Sequence, residues 1–167
     1  DQAQLVKAKS LLESPLAQGF TAAERSVGEG GAEGLTAYRT QLVDRPPREE
    51  RLALIRRLDA AAHTTTLATL LRYEVGKTQA FLALQGRGES IDEKALSTQT
   101  KAQEDALRAS SAQAVESFML YAYRQMPSEK LAEYAALYEQ PAVAQLLDSS
   151  VQVLPELFAA RRAQLKK

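Results

Sequence analysis

The chain has 167 residues, 45% of them hydrophobic, with 21 basic and 21 acidic side chains and a formal net charge of +0. That length suits one domain burying about two-thirds of its unfolded surface, and the charge balance removes the cationic excess by which nucleic-acid binders release counterions. There is no cysteine, hence no disulfide, thiol nucleophile or thiolate metal site, and no apolar run approaches the roughly 20 residues that span a bilayer.

Ala, Leu, Gln, Glu and Arg dominate, all good helix formers, and only 8 Gly and 6 Pro interrupt them. The pattern from Gln2 to Glu13 predicts a first helix with Leu5, Ala8 and Leu12 on one face. Ser14 then serves as an N-cap, and Pro15 takes the first helical position, where its missing N–H costs nothing. The second helix carries Leu16, Phe20 and Val27 and ends in the glycine cluster Gly28–Gly31. A short helix from Leu35 to Val43 follows, stopped by Arg45-Pro46-Pro47. Glu49 to Ala62 resumes with Leu52, Ile55 and Leu58 at helical spacing. From Thr66 to Gln85, the residues Leu67, Leu70, Leu71, Val75, Phe81 and Leu82 predict one broad buried stripe.

Ser90 and Glu93 have capping-box spacing and predict the start of a long helix running to Gln125. Its first half is polar, with small residues at Ala95, Ala102 and Ala106. Its second half, Val115 and Phe118 to Ala122, is apolar nearly all round, the signature of a helix buried centrally or covered by a partner. Pro127 opens the next helix, whose face carries Leu131, Tyr134, Ala135 and Tyr138. Gln140-Pro141 breaks the chain again. The final helix places Val143, Leu147, Val151, Leu154 and Phe158 on a stripe, with a kink or restart expected at Pro155. No stretch alternates with period two, so no sheet is expected. The elements add up to a single all-α domain over residues 1–167, a bundle of six to eight helices packed as antiparallel hairpins.

Leu11-Leu12-Glu13-Ser14-Pro15 recurs in form as Leu137-Tyr138-Glu139-Gln140-Pro141. In each copy an amphipathic helix leads into a proline that blocks continuation, and the residue before it is pushed out of the helical region. The two corners, over 2–27 and 128–154, hint at an internal duplication. The second copy lies in MPSEKLAEYAALYEQPAVAQLLDSSVQVLPEL. This stretch resembles an uncharacterised family of bacterial helical domains, mostly exported, whose hallmark is a segment of the type FY-x-SP-x-G followed by P-x-L. Glu129, Leu131, Leu137, Tyr138 and Pro141 match it, and Pro155-Glu156-Leu157 matches the downstream element. Gln140 stands where the family has Ser, and Val143 where it has Gly. The first copy keeps Ser14 but has Leu12 for the aromatic residue and Ala17 for the glycine. The resemblance covers about the last 40 residues well. It implies a helical fold and a periplasmic or secreted location, and supplies no reaction. The chain starts at Asp1 rather than Met, as a processed mature form or a trimmed chain does.

Chemistry is sparse. His63 is the only histidine, and a single imidazole leaves little with which to build a metal site or an acid/base dyad. Its place between Ala60-Ala61-Ala62 and Thr64-Thr65-Thr66 suits a helix end. Val75-Gly76-Lys77-Thr78 looks like the close of a phosphate loop, but Leu71 stands where the first glycine belongs and the context is helical. Gly28 to Gly34 misses the dinucleotide fingerprint because Glu33 takes the third glycine position. The paired carboxylates Glu49/Glu50, Glu104/Asp105 and Glu129/Glu133 lie among basic residues, as on a solvated face. Ser110-Ser111 and Ser149-Ser150 lack an adjacent base. The basic cluster Arg45 to Arg57 is interrupted by acids, and that from Arg161 to Lys167 sits where a helix C-terminus welcomes cations.

No catalytic, cofactor or metal residue is therefore assigned. Tyr121, Tyr123, Tyr134 and Tyr138 are the set of interest, because tyrosines with an apolar body and a polar tip gather at interfaces and pocket mouths, and the candidate interaction or pocket residues are Phe118, Tyr121, Tyr134 and Tyr138. The expected function is a non-enzymatic protein-interaction or self-association module of the bacterial cell envelope, with a protein partner or a second copy, no nucleic acid and no transmembrane segment. The alternative is a carrier holding a small apolar ligand between its helices.

Overall fold

The structure is a computed structural model and describes residues 1–166. Its described residues form eight helices and no strand: α1 (Gln2–Leu12), α2 (Pro15–Glu29), α3 (Ala32–Asp44), α4 (Glu49–Ala62), α5 (Thr64–Gly86), α6 (Glu93–Ala122), α7 (Ser128–Glu139) and α8 (Pro141–Gln164). The all-α class follows from the composition: strong helix formers throughout, with every proline but Pro155 at a joint or helix start. The chain divides into two compact units. The first comprises Asp1–His63 and Gln113–Leu147, and the second Thr64–Ala112 with the chain from Asp148 onward.

In the first unit α4 packs on α7. Their early turns meet where Arg51 Nη1 donates to Ser128 Oγ at 3.2 Å. Their later turns meet where Arg57 Nε donates to both Glu139 carboxylate oxygens at 3.2 Å. The two helices thus run side by side in the same direction. Between them lie Ile55 and Leu58 of α4 and Leu131 and Ala135 of α7, each no more than 1% exposed. Burying each large aliphatic side chain contributes about 1.5–3 kcal/mol. The second half of α6 adds Val115, Met119, Leu120 and Ala122 to the buried set, so its apolar character is answered largely within the chain. Phe118 and Tyr121 remain half-buried.

The two proline corners share one geometry. Ser14 has φ −61° and ψ 155°, and Gln140 has φ −60° and ψ 135°. Both are extended residues placed directly before a helix-initiating proline, as steric exclusion from the helical region requires. Ser14 Oγ also accepts from the Ala17 amide at 3.4 Å, which satisfies one of the orphan donors of α2. At the α4–α5 junction a single residue suffices. His63 adopts a left-handed conformation, φ 53° and ψ 33°, and is the one non-glycine among the described residues with positive φ.

Two expectations about element ends need correction. The cap of α6 is Asp92, whose Oδ1 accepts from the Ala95 amide at 2.7 Å; Ser90 lies outside the helix. Glu93 therefore becomes the first helical residue, and its carboxylate turns to Arg162 rather than back to a cap. The same helix closes at Ala122, three residues earlier than its pattern suggests. There the chain tightens into turns, with the Met126 amide donating to the Tyr123 carbonyl at 2.8 Å. At Pro155, where a kink or a restart is expected, α8 continues as one helix, which excludes the restart alone.

The larger correction concerns α5. Its buried residues are Thr69, Tyr73, Glu74, Lys77 and Phe81. Leu71, Val75 and Leu82, placed on a buried stripe by their spacing, are 49%, 42% and 45% exposed. Periodicity counts apolar side chains but cannot see that a charged pair will find partners. Here partners exist, and paired charges can enter an interior that lone ones cannot.

Candidate functional site

The tyrosines do not form one surface. Phe20 of α2 stacks on Tyr134 of α7, with centroids 4.1 Å apart and planes within 11°. Tyr123, in the turn after α6, meets Phe20 edge-on at 5.0 Å and Tyr134 at 6.3 Å. Tyr138 stands one turn beyond Tyr134, edge-on at 5.1 Å, with the two hydroxyls 3.3 Å apart. Tyr123 donates its hydroxyl proton to Glu24 of α2. Tyr123 and Tyr134 are nearly wholly buried. Burial pushes both phenols well above their ordinary range, and hydrogen bonds to Glu24 and Tyr138 respectively reinforce the shift. This is an interior cluster with its polar tips satisfied, as buried tyrosines require.

Of the four residues singled out, Tyr134 and Tyr138 thus come together, while Tyr121 lies elsewhere. Its ring faces Tyr38 of α3 at 5.3 Å, and the Arg124 guanidinium sits 4.1 Å from its centroid. Gly34 makes this docking possible, since a Cβ there would strike the Tyr121 hydroxyl.

Beside that pair is a cavity of about 250 Å³. Its cationic lining is Arg48, Arg51 and Arg124; Tyr38, Pro47 and Leu120 give it an apolar wall, and Glu50 and Ser128 complete it. Arg51 is half-buried and is held by Ser128 Oγ and by the Tyr123 carbonyl. Burial pulls its guanidinium below the ordinary value, with Tyr38 offsetting part of the effect. Arg124 Nη1 donates to the Tyr121 carbonyl at 2.8 Å. A second, more open cavity of about 330 Å³ has an apolar floor of Pro15, Leu16, Phe20 and Met126 with Gly19, and a rim of Lys130 and Glu133. Phe118, Tyr121 and Tyr138 line neither cavity.

In the second unit the interior is ionic. Arg162 of α8 is 1% exposed, Glu74 2% and Lys77 5%. Arg162 Nη1 donates to Glu74 Oε2 at 2.8 Å and to Thr78 Oγ1 at 3.3 Å. Its Nε donates to Glu93 Oε2 at 3.1 Å, and Nη2 reaches the same carboxylate. Lys77 Nζ stands 3.7 Å from Glu74 and 3.3 Å from Glu93 and donates to Ser97 Oγ at 2.8 Å. Two cations and two carboxylates therefore form a closed, neutral set across α5, α6 and α8. The Arg162 hydrogen bonds, foremost, hold the Glu93 carboxyl below the usual range, against the opposing effect of burial. For Arg162, burial opposes the charge most, but its bonds to Glu93 and Glu74 win and raise it. Nearby, Tyr73 and Thr100 share a buried hydroxyl contact at 3.0 Å.

Sequence reasoning does not reach these four charged residues. The available signal was Glu74 and Lys77 at i, i+3 inside an otherwise apolar helix; their remote partner Arg162 reads as an ordinary C-terminal cation. Arg51 and Arg124 are missed for the same reason, their neighbours in space being distant in sequence. Among the described residues no group of three or more His, Asp or Glu side chains is arranged to hold a metal ion, and no helix is long and apolar enough to cross a membrane.

Fold and sites together define an all-α helical protein with one aromatic-cored and one ion-cored unit. Comparison with protein-family models, curated proteins and solved structures finds no match.

Proposed function

We propose that this chain is a helical interaction module of the bacterial cell envelope that associates with a second copy or a partner protein. The observation that carries the reading is the outward face of α5. Leu71, Val75 and Leu82 stand at i, i+4 and i+11, within one narrow arc of the helix, and all are more than two-fifths exposed. A helix that buries Glu74 and Lys77 and presents these three aliphatic residues gains by covering that stripe, since apolar area removed from water contributes about 25 cal/mol per Å². The exported-family resemblance of residues 126–157 supports the envelope location.

Light scattering over a wide concentration range tests self-association. A mass that rises with concentration is expected, and Leu71→Gln with Leu82→Gln should abolish the rise. A photo-crosslinker at Val75 tests the partner in cells. Strictly monomeric mass together with no crosslinked adduct would remove the proposal.

The cavity floored by Leu16, Phe20 and Met126 supports a second reading, a carrier of a small apolar ligand. Fluorescence enhancement of an apolar dye, lost in Leu16→Gln, is the expected sign. An unchanged signal in that variant removes it.

A further inference from the structure

The basic stretch from Arg45 to Arg57 reads as neutralised by its acidic neighbours in sequence. In space two of its arginines share a cavity with a third from the α6–α7 turn, and Glu50 is the one carboxylate in the lining. Three guanidiniums against one carboxylate leave the cavity cationic inside a chain of zero net charge. None of the three forms an ion pair among the described residues. This contrasts with Arg56, Arg57 and Arg162, each of which has a carboxylate partner.

Two of the three are also preorganised without being neutralised. The hydrogen-bond partners of Arg51, Ser128 Oγ and the Tyr123 carbonyl, are uncharged. Arg124 is held by the Tyr121 carbonyl and by stacking on the Tyr121 ring. A guanidinium carries five donors in a rigid fork, so each retains donors for a further acceptor. The first turns of α4 and α7 both contribute to the lining, through Glu50, Arg51 and Ser128. Neither helix start has a side-chain cap, so the first amide N–H groups of both lack a side-chain acceptor, while Glu49, Glu50 and Glu129 in the first turns offset the helix-end charge and leave the arginines as the cationic source. The remaining wall is apolar: the Tyr38 ring, Pro47 and the buried Leu120.

We propose that this cavity binds a small organic carboxylate, its oxygens on Arg51 and Arg124 and its apolar body against Tyr38 and Leu120. Planar forked recognition of a carboxylate by arginine is the strongest neutralisation available to these groups. An apolar wall beside the cations distinguishes such a ligand from a wholly hydrophilic anion. A volume of about 250 Å³ admits a molecule of the size of phenylacetate. The site is separate from the α5 stripe and from the groove at Phe20, and the inference stands whether or not either proposal above holds.

The test is titration of the full chain with phenylacetate, phenylacetamide and inorganic phosphate, followed by calorimetry and amide chemical shifts. Phenylacetate should bind saturably and shift the Tyr38 and Ser128 amides. Phenylacetamide, isosteric but uncharged, and phosphate, charged but without an apolar body, should each bind about tenfold or more weakly, as loss of a charged hydrogen bond or of apolar burial implies. Arg124→Gln should weaken phenylacetate by about tenfold or more. Arg51→Gln should do the same; because Arg51 also ties α4 to α7, its helicity is checked by circular dichroism, and Arg124→Gln decides if it unfolds. Absence of saturable binding, equal binding of either control, or undiminished affinity in Arg124→Gln would overturn the proposal.

Discussion

The two units solve the same problem, filling a helical interior, with opposite chemistry. The first fills it with Ile55, Leu58 and Leu131 and with the stacked rings of Phe20 and Tyr134. The second places Glu74, Lys77 and Arg162 inside and leaves Leu71, Val75 and Leu82 outside. Hydrophobic burial is non-directional and ring pairing adds only a modest preference for geometry, so each contact is modest and local replacements are graded. An ion set is all-or-none, because each carboxylate stabilises only while its cation is present. The teaching is that apolar content does not decide which face of a helix turns inward. Complementary partners decide it.

The comparison breaks most visibly at Glu74. Glu74→Ala leaves the Arg162 guanidinium buried with one carboxylate fewer, and a loss of about 3–5 kcal/mol is expected in urea unfolding. The paired replacement Glu74→Leu with Arg162→Met sharpens the point, since removing both charges should restore stability to within about 1 kcal/mol of the parent or exceed it. If the double variant is as unstable as the single, the ion set is more than a mutually dependent pair.

In the first unit Leu131→Ala should cost about 2–5 kcal/mol by lost burial and the cavity left behind, and no second substitution of opposite charge should rescue it. Phe20→Leu, which keeps bulk but removes the ring stacked on Tyr134, should cost less, about 0.5–1.5 kcal/mol beyond the lost area. Thermal melts of both variants check the order.

The pH response should separate the units as well. Glu93 has its carboxyl lowered in the folded chain, so its contribution is present above the ordinary value of about 4.3 and is lost as pH falls through the lower folded value. Its side chain is 42% exposed, which solvent screening makes a small effect. Tyr123 and Tyr134 are shifted upward, so their contribution is complete below about pH 10 and declines as the pH climbs toward their folded values. Glu139, lowered by its hydrogen bonds to Arg57, gives the first unit a similar small acid response, so the separation is expected at the alkaline end, where amide exchange resolved by residue should show opening first around α7. Simultaneous alkaline opening of α5 and α7 would contradict the assignment.

The smallest effect belongs to the α5 stripe. Leu71→Gln in the monomer should change stability by no more than about 0.5 kcal/mol, as surface substitutions do. A loss of several kcal/mol would mean that the residue is buried after all.

Much of the architecture was legible from local chemistry. Pro15, Pro127 and Pro141 stand at helix starts because proline lacks an amide hydrogen and fixes its own φ. Ser14 caps as its hydroxyl predicts, and the face Leu131, Tyr134, Ala135 turned inward as its spacing implies. At the sites less was readable. Tyr134 and Tyr138 share a cluster with Tyr123, as three of the four tyrosines of interest, whereas Tyr121 packs against Tyr38 instead. Asp92 displaced Ser90 as a cap because both residue types can accept the amide and only the path of the preceding loop chooses between them.

What the sequence by itself determined is the helical class and the placing of its joints, because backbone propensity, capping and proline exclusion act over a few residues. What only the tertiary structure decided is which side of α5 faces inward, that Arg162 meets Glu74 across 88 positions, and that Arg48, Arg51 and Arg124 line one cavity. Charge pairing acts through space, over a few ångströms that no spacing along the chain records.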